Sequence, residues 1–158
     1  HEDAYRLVLQ TASPSWLYAV TMGATTVWER WDSLRPDGSV NPGQMTSFNH
    51  YSLGSVADWL HRVMLGIAPA APGYRRVTIE PRVGPGIADV QGSLDSPYGP
   101  IAVAWHVLEG RFDVTVDLPI GIEGTLRLPQ GGGEMTIGPG RHSATCPVEV
   151  GAATEATA

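Results

Sequence analysis

Apolar residues near the start of the chain recur at the spacing of an α-helix. They mark one face of residues 2–10, where two acidic residues occupy the first turn and suit the helix dipole. This pattern ends before Pro14, because the residue preceding a proline avoids helical backbone angles. A second, shorter helix is expected at residues 16–20.

The longest helical pattern runs from about residue 49 to residue 66. Its apolar residues follow i, i+3, i+4 and i+7 steps and form a broad stripe. Asn49 is a candidate N-cap, and Gly66 is a candidate stop. So broad a stripe requires other helices to cover it. Because this part of the chain predicts only a few short helices, we expect the helical half to be incomplete.

After Ile67 the character of the sequence changes. A connector rich in Pro, Ala and Gly, residues 68–73, precedes segments in which apolar and polar residues alternate, the period of a half-buried strand. Glu109-Gly110 separates two of these segments and is short enough for a tight hairpin. The expected strands are residues 76–80, 88–94, 101–107, 112–118, 125–128, 134–137 and 143–150.

Short strands separated by Gly and Pro turns predict an antiparallel β-sandwich. We therefore expect an α+β chain with a helical part at residues 1–70 and a small β-sandwich at residues 71–150. Residues 151–158 offer almost nothing to pack and are expected to form a disordered tail.

Composition and charge argue against several classes of function. The chain has 10 basic and 16 acidic residues, and the basic ones are not clustered, so no nucleic-acid partner is expected. No apolar run approaches the roughly 20 residues of a membrane helix. Cys146 is the single cysteine, and the histidines lack metal-ligand spacing, so we expect no disulfide, metal or cofactor. No targeting signal distinguishes a secreted from a cytoplasmic protein.

The most unusual stretch, WERWD, places Glu29, Arg30 and Asp32 beside Trp28 and Trp31. Aromatic surface disfavours the ionised form of a neighbouring carboxyl group and can tune it for general acid or base catalysis. Tryptophan faces also stack on sugar rings, so this combination indicates carbohydrate. The structural alternative is a Glu29–Arg30 ion pair on a loop that is packed by two core tryptophans.

A second unusual stretch, residues 43–51, places His50 at the start of the predicted long helix. A histidine there can hydrogen-bond a ligand, and the structural alternative is a satisfied helix-end residue. The loop between Glu29 and His50 contains two prolines and two glycines. Such a loop can fold back and present both residues to one cleft.

Four motifs resemble the C-terminal part of family 78 bacterial α-L-rhamnosidases, in that family's order and spacing. They are GATTVWERWDS, SFNHYSLGSVADWLHRVMLGI, PGYRRVTIEPRVG and SPYGPIAVAWHV, and the resemblance extends to about Leu128. It implies an α+β fragment in which the last helices of an (α/α)6 barrel precede a small antiparallel β-sandwich.

The resemblance also implies roles for single residues. Glu29 occupies the position of the general base, and His50 that of a residue that hydrogen-bonds rhamnose. Trp28 and Trp31 resemble pocket-wall or support residues, and Asp32 resembles a supporting residue. The implied reaction is inverting hydrolysis of terminal α-L-rhamnose, in which a carboxylic acid and a carboxylate lie ~6.5–9.5 Å apart.

The implied partners are an L-rhamnose-containing glycoside and the upstream barrel segment of the same enzyme, which would supply the general acid that this chain lacks. Two other functions stay open. One is a non-catalytic carbohydrate-binding or structural β-sandwich module, against which the lack of clustered exposed aromatic residues in the predicted strands counts. The other is a different class of (α/α)6 glycosidase or lyase, which the order of the motifs disfavours.

Overall fold

The computed structural model describes residues 1–149, and the contacts within it divide the chain into two compact units. The first unit is His1–Ala57, and the second comprises the residues from Asp58 onward. The disordered tail expected at residues 151–158 lies outside the described residues.

Two short helices begin the first unit, as the apolar pattern predicts. Helix α1 is Glu2–Leu9 and helix α2 is Trp16–Thr21. Tyr5 is fully buried on the inner face of α1. Ser15 caps α2, because its buried hydroxyl accepts a hydrogen bond from the Tyr18 amide at 3.0 Å.

The long helix expected at residues 49–66 is wrong in its start and in its regularity. The helical residues form a 3₁₀ turn at Ser52–Ser55, helix α3 at Val56–Trp59 and a π-helical stretch at Leu60–Met64. The start is later because the amide of His50 donates to the carbonyl of Val27 at 2.8 Å, which holds His50 outside the helix.

The two expected ends of this helix differ in outcome. Asn49 does not cap a helix, since the N-cap position of the 3₁₀ turn is Tyr51. Gly66 follows the last helical residues, as predicted, with a positive φ of 79°. A Cβ atom on Gly66 would lie 2.3 Å from the backbone of Glu80, so this position requires glycine.

The second unit contains two four-stranded sheets, with strand orders β1-β2-β6-β7 and β3-β4-β5-β8. The strands are β1 Ile67–Pro69, β2 Arg76–Ile79, β3 Asp89–Ser96, β4 Gly99–Leu108, β5 Arg111–Leu118, β6 Glu123–Arg127, β7 Glu134–Ile137 and β8 Gly140–Pro147. The seven expected strands are therefore confirmed within a few residues at each end, except that the expected end at residue 150 lies outside the described residues.

Two features of these sheets were not predicted. Strand β1 is only three residues long, too short to show a period of two, and it lies where the helical pattern gives way to the connector. Strands β2 and β6 run parallel, with Val77 opposite Gly124, whereas every other pair of strands in the described part of the chain is antiparallel.

The core of the second unit lies between the inward positions of its strands. Val103 and Trp105 of β4 and Phe112 of β5 are buried there, while His106 faces outward as predicted. The indole of Trp105 donates to the carbonyl of Met64 at 2.7 Å and so satisfies its buried polar atom. The remaining buried members include Ile67, Val77, Ile79, Ile101, Val114, Val116, Leu118, Ile122 and Leu126.

The turn between β4 and β5 agrees with the predicted hairpin. Glu109 and Gly110 both have positive φ, 51° and 75°, which is the geometry of a tight hairpin turn. Cys146 is buried against the core, and this burial raises the pKa of its thiol. Within residues 1–149, no helix combines the length and apolarity needed to span a bilayer.

Candidate active site

Two non-helical segments of the first unit, one around Glu29 and one around His50, are joined by hydrogen bonds and form the candidate site. The amide of Glu29 donates to the carbonyl of Ser47 at 2.9 Å, and the amide of His50 donates to the carbonyl of Val27 at 2.8 Å. The hydroxyl of Thr26 adds a short bond to the carbonyl of Phe48. These contacts confirm the prediction that the intervening loop folds back.

The pairing brings the side chains of Glu29 and His50 together, with Oε1 of Glu29 3.7 Å from Nε2 of His50. This distance exceeds that of a direct hydrogen bond, so both atoms keep capacity for a third group. The side chain of Glu29 is 16% exposed and that of His50 is 28% exposed, so the pair is sheltered but reachable.

Backbone amides fix the orientation of both side chains. The amide of Ser47 donates to Oε2 of Glu29 at 3.0 Å, which leaves Oε1 facing His50. The amide of Ser52 donates to Nδ1 of His50 at 3.3 Å. Because Nδ1 is an acceptor in this arrangement, the hydrogen-bond pattern assigns the proton of the neutral imidazole to Nε2. Tyr51 stacks on the ring at 4.8 Å.

Arg30 pairs with Asp32 and not with Glu29, so the ion pair that the structural alternative proposed is wrong. Its Nε instead donates to Oδ1 of Asp32 at 3.1 Å. The other carboxylate oxygen of Asp32 accepts from the side-chain amide of Asn41 at 2.8 Å. The carboxylate of Glu29 thus stays with the Ser47 amide and with His50, while Asp32 takes the positive charge.

The two tryptophans of the WERW stretch pack against other aromatic residues of the first unit. Trp28 is buried and meets Phe48 edge to face, with ring centroids 5.3 Å apart. Trp31 meets Trp16 edge to face at 4.9 Å. Both also line a cavity of about 290 Å³ whose other walls are mostly apolar, among them Val20, Val27 and Leu53.

Two contributors to the site were missed by the sequence analysis. Ser47 acts through its backbone amide, which any residue carries, so the sequence contains no signal for it. Asn41 is buried and connects to Asp32 across nine positions. The only sequence signal for Asn41 is the Asn-Pro-Gly composition of the loop, which indicates a turn but does not predict which residue Asn41 contacts. Within residues 1–149, no three His, Cys, Asp or Glu side chains are grouped so as to hold a metal ion.

Family comparisons match almost the whole chain. Residues 1–64 match the model described as the bacterial α-L-rhamnosidase six-hairpin glycosidase domain, and residues 66–143 match the bacterial α-L-rhamnosidase C-terminal domain. The first match shows that residues 1–64 resemble part of a six-hairpin glycosidase domain.

Curated relatives and solved structures agree with both family models. The α-L-rhamnosidase of Streptomyces avermitilis is 44% identical over 120 residues, which are 75% of this chain and 12% of the relative. That of Alteromonas sp. is 37% identical over 118 residues, 75% of this chain and 13% of the relative. The chain belongs to the bacterial α-L-rhamnosidase family, and it spans about an eighth of the length of these relatives.

Two crystal structures resemble the chain closely. The native α-L-rhamnosidase from Aspergillus terreus has a TM-score of 0.87 and 44% identity, and the match covers 91% of this chain and 17% of that one. The Streptomyces avermitilis α-L-rhamnosidase complexed with L-rhamnose has a TM-score of 0.83 and 35% identity, with coverage of 92% and 16%.

Proposed function

We propose that the chain works as part of a longer α-L-rhamnosidase and supplies Glu29 as the general base for inverting hydrolysis of terminal α-L-rhamnose. The observation that carries this proposal is the pairing of Glu29 with His50 at 3.7 Å, in a chain whose relatives are α-L-rhamnosidases. A carboxylate and an imidazole that are held by backbone amides and are open to one side form a site for a polar ligand.

In the proposed reaction, Oε1 of Glu29 accepts a proton from water as the water oxygen bonds to the anomeric carbon. The glycosidic bond breaks on the opposite face, and its oxygen takes a proton from a carboxylic acid. Glu29 suits the role of base because the Ser47 amide occupies only Oε2, which leaves lone pairs on Oε1 for the water.

The proposed role of His50 is to donate its Nε2 proton to a hydroxyl group of the rhamnose. The bond from the Ser52 amide to Nδ1 supports this role, because it turns the protonated nitrogen towards Glu29. Trp28 and Trp31 are proposed to form the wall behind the site. Their packing on Phe48 and Trp16 would keep that wall rigid.

The general acid is proposed to come from an upstream segment of the same enzyme, which would complete the (α/α)6 barrel around residues 1–70. The apolar cavity beside Trp16 and Trp31 supports this arrangement, since the neighbouring Val20 side chain is 60% exposed. The β-sandwich domain, expected at residues 71–150, is proposed to include strand β1 at Ile67–Pro69 as well, because β1 pairs with β2. The proposed substrate is an L-rhamnose-containing glycoside.

A chimeric enzyme tests this proposal. The chain replaces the corresponding segment of the Streptomyces avermitilis α-L-rhamnosidase, and hydrolysis of an aryl α-L-rhamnoside is measured. We expect an active chimera in which Glu29→Gln lowers kcat by about 10²–10⁴-fold with little change in KM. The matched control is Glu123→Gln, an exposed glutamate of β6, which should leave kcat unchanged. A folded chimera that keeps full activity with Glu29→Gln would remove Glu29 from the mechanism.

A further inference from the structure

Three side chains form a clasp across the loop that joins the two halves of the site. The clasp consists of Arg30, Asp32 and Asn41. Asp32 accepts from Nε of Arg30 at 3.1 Å through one oxygen and from the Asn41 side chain at 2.8 Å through the other. Asn41 is 7% exposed, and its own oxygen accepts from the amide of Gly43 at 2.9 Å. Both polar ends of this buried amide are therefore used.

The clasp joins the chain just after Glu29 to the chain just before Ser47. Nη1 of Arg30 donates to the carbonyl of Gln44 at 3.3 Å, three residues before the amide that holds the Glu29 carboxylate. A Cβ atom on Gly43 would lie 2.6 Å from this Nη1, so the glycine leaves room for the guanidinium.

The clasp also determines where the charge of Arg30 goes. Arg30 follows Glu29 directly, and a guanidinium on a carboxylate commonly occupies both of its oxygens. A catalytic base that is paired in this way would have no oxygen left for water. Because Asp32 takes the guanidinium, Oε1 of Glu29 stays available beside His50.

The contribution of the clasp to folding stability does not by itself explain why these three residues are linked. The side chains of Arg30 and Asp32 are 39% and 42% exposed, and ion pairs with such exposure contribute little to folding. The arrangement is better suited to fixing the shape of the loop, because the Asp32 carboxylate contacts Arg30 near its start and Asn41 further along it.

We propose that Asp32 is a positioning residue for Glu29. Asp32 binds the guanidinium of Arg30 and so prevents it from pairing with the carboxylate of Glu29. It thereby maintains the hydrogen bond between the Ser47 amide and Glu29. This inference rests on the proposed function of Glu29, and it assigns Asp32 and Asn41 a role in the reaction although neither touches the reacting atoms.

The first test uses the 158-residue chain and hydrogen exchange of single amides followed by NMR. In Asp32→Ala and in Asn41→Ala, we expect the Ser47 amide to exchange roughly tenfold faster, because its acceptor on Glu29 moves. The amide of Met22, which donates to Tyr18 within the same unit, should keep its rate. The matched control is Asp37→Ala, since Asp37 lies in the same loop and bonds to Ser39 instead.

Two results of the exchange experiment would overturn the positioning role. One is an unchanged rate at Ser47. The other is equal acceleration at Ser47 and Met22, which would make Asp32 a general structural residue. If Asp32→Ala unfolds the unit, Asp32→Asn provides the same comparison, because it removes the charge while keeping the shape.

The second test uses the chimeric enzyme and separates this inference from the proposed function. We expect Asp32→Ala to lower kcat about tenfold with KM within about threefold, as for a misplaced catalytic group, and Asp37→Ala to match the parent. An inactive Glu29→Gln together with a fully active Asp32→Ala would refute the positioning role alone. An active Glu29→Gln would refute the proposed function itself.

Discussion

Nε2 of His50 lies 3.7 Å from Oε1 of Glu29, and each of these two side chains accepts a hydrogen bond from a backbone amide close to His50 in sequence. The Ser47 amide holds Glu29, and the Ser52 amide holds the imidazole. The relationship depends on backbone hydrogen bonds between two non-helical segments, from Glu29 to Ser47 and from His50 to Val27. The side chain of Glu29 or His50 can therefore be substituted while the backbone hydrogen bonds between the two segments remain.

Substitution of His50 should weaken sugar binding more than it weakens the fold. Free L-rhamnose should raise the Tm of the chimeric enzyme, because a ligand that binds only the folded state stabilises it. In His50→Ala we expect that increase to be largely lost, while the Tm without sugar changes little. The measurement is thermal melting with and without L-rhamnose. The control is His106→Ala on the outer face of β4, and an undiminished increase in His50→Ala would contradict the assignment.

Gly66→Ala should destabilise the second unit by about 3 kcal/mol or more. Alanine disfavours the φ of 79° at this position, and its Cβ would meet the Glu80 backbone at 2.3 Å. The comparison variant is Gly138→Ala, whose added Cβ has nothing within 4 Å. Urea unfolding of both variants checks the difference. Similar free energies of unfolding would show that the backbone at Gly66 can move aside.

Tyr5 should make the first unit sensitive to alkaline pH. Burial raises the pKa of Tyr5 from 10.0 to about 12, so the folded state holds the phenol proton more tightly than the unfolded state does. The resulting stabilisation, about 3 kcal/mol, is complete below pH 10 and is lost as the pH rises from 10 to 12. The chain has no lysine to titrate in this range.

Unfolding measured from pH 9 to 11.5 isolates this effect. Tyr5→Phe should lose less stability over the range than the parent chain, whereas Tyr98→Phe, at an exposed tyrosine, should lose as much. Parallel curves for the parent and Tyr5→Phe would mean that Tyr5 ionises without cost in the folded state.

The sequence predicted the strands better than the helices. Alternation of apolar and polar residues predicted β4 and β5 most clearly, because these two strands bury one face and expose the other. The helix was expected to start at residue 49 because Asn49 is a candidate N-cap, but the amide of His50 donates to the carbonyl of Val27 instead. The three residues of β1 and the parallel pairing of β2 with β6 depend on distant partners, which no local pattern records.

The side chains of the candidate site were predictable from the sequence, but the hydrogen bonds that hold them in place were not. The WERW stretch and His50 stood out by residue type, and the proline and glycine content of the loop predicted that they would meet. The partner of Arg30 was not predictable, because Glu29 and Asp32 are both within reach in sequence. In the structure Arg30 forms its salt bridge with Asp32. The buried Asn41 donates to the other carboxylate oxygen of Asp32 and holds that side chain in place.

The central claim, that Glu29 is the base of an inverting hydrolase, is tested most directly by chemical rescue. In the chimera, Glu29→Ala should be nearly inactive on an aryl α-L-rhamnoside, and azide should restore release of the aryl group by taking the place of the activated water. NMR of the product should then show β-L-rhamnosyl azide, because attack occurs on the face opposite the leaving group. An α-configured azide, or undiminished hydrolysis by Glu29→Ala without azide, would contradict the account.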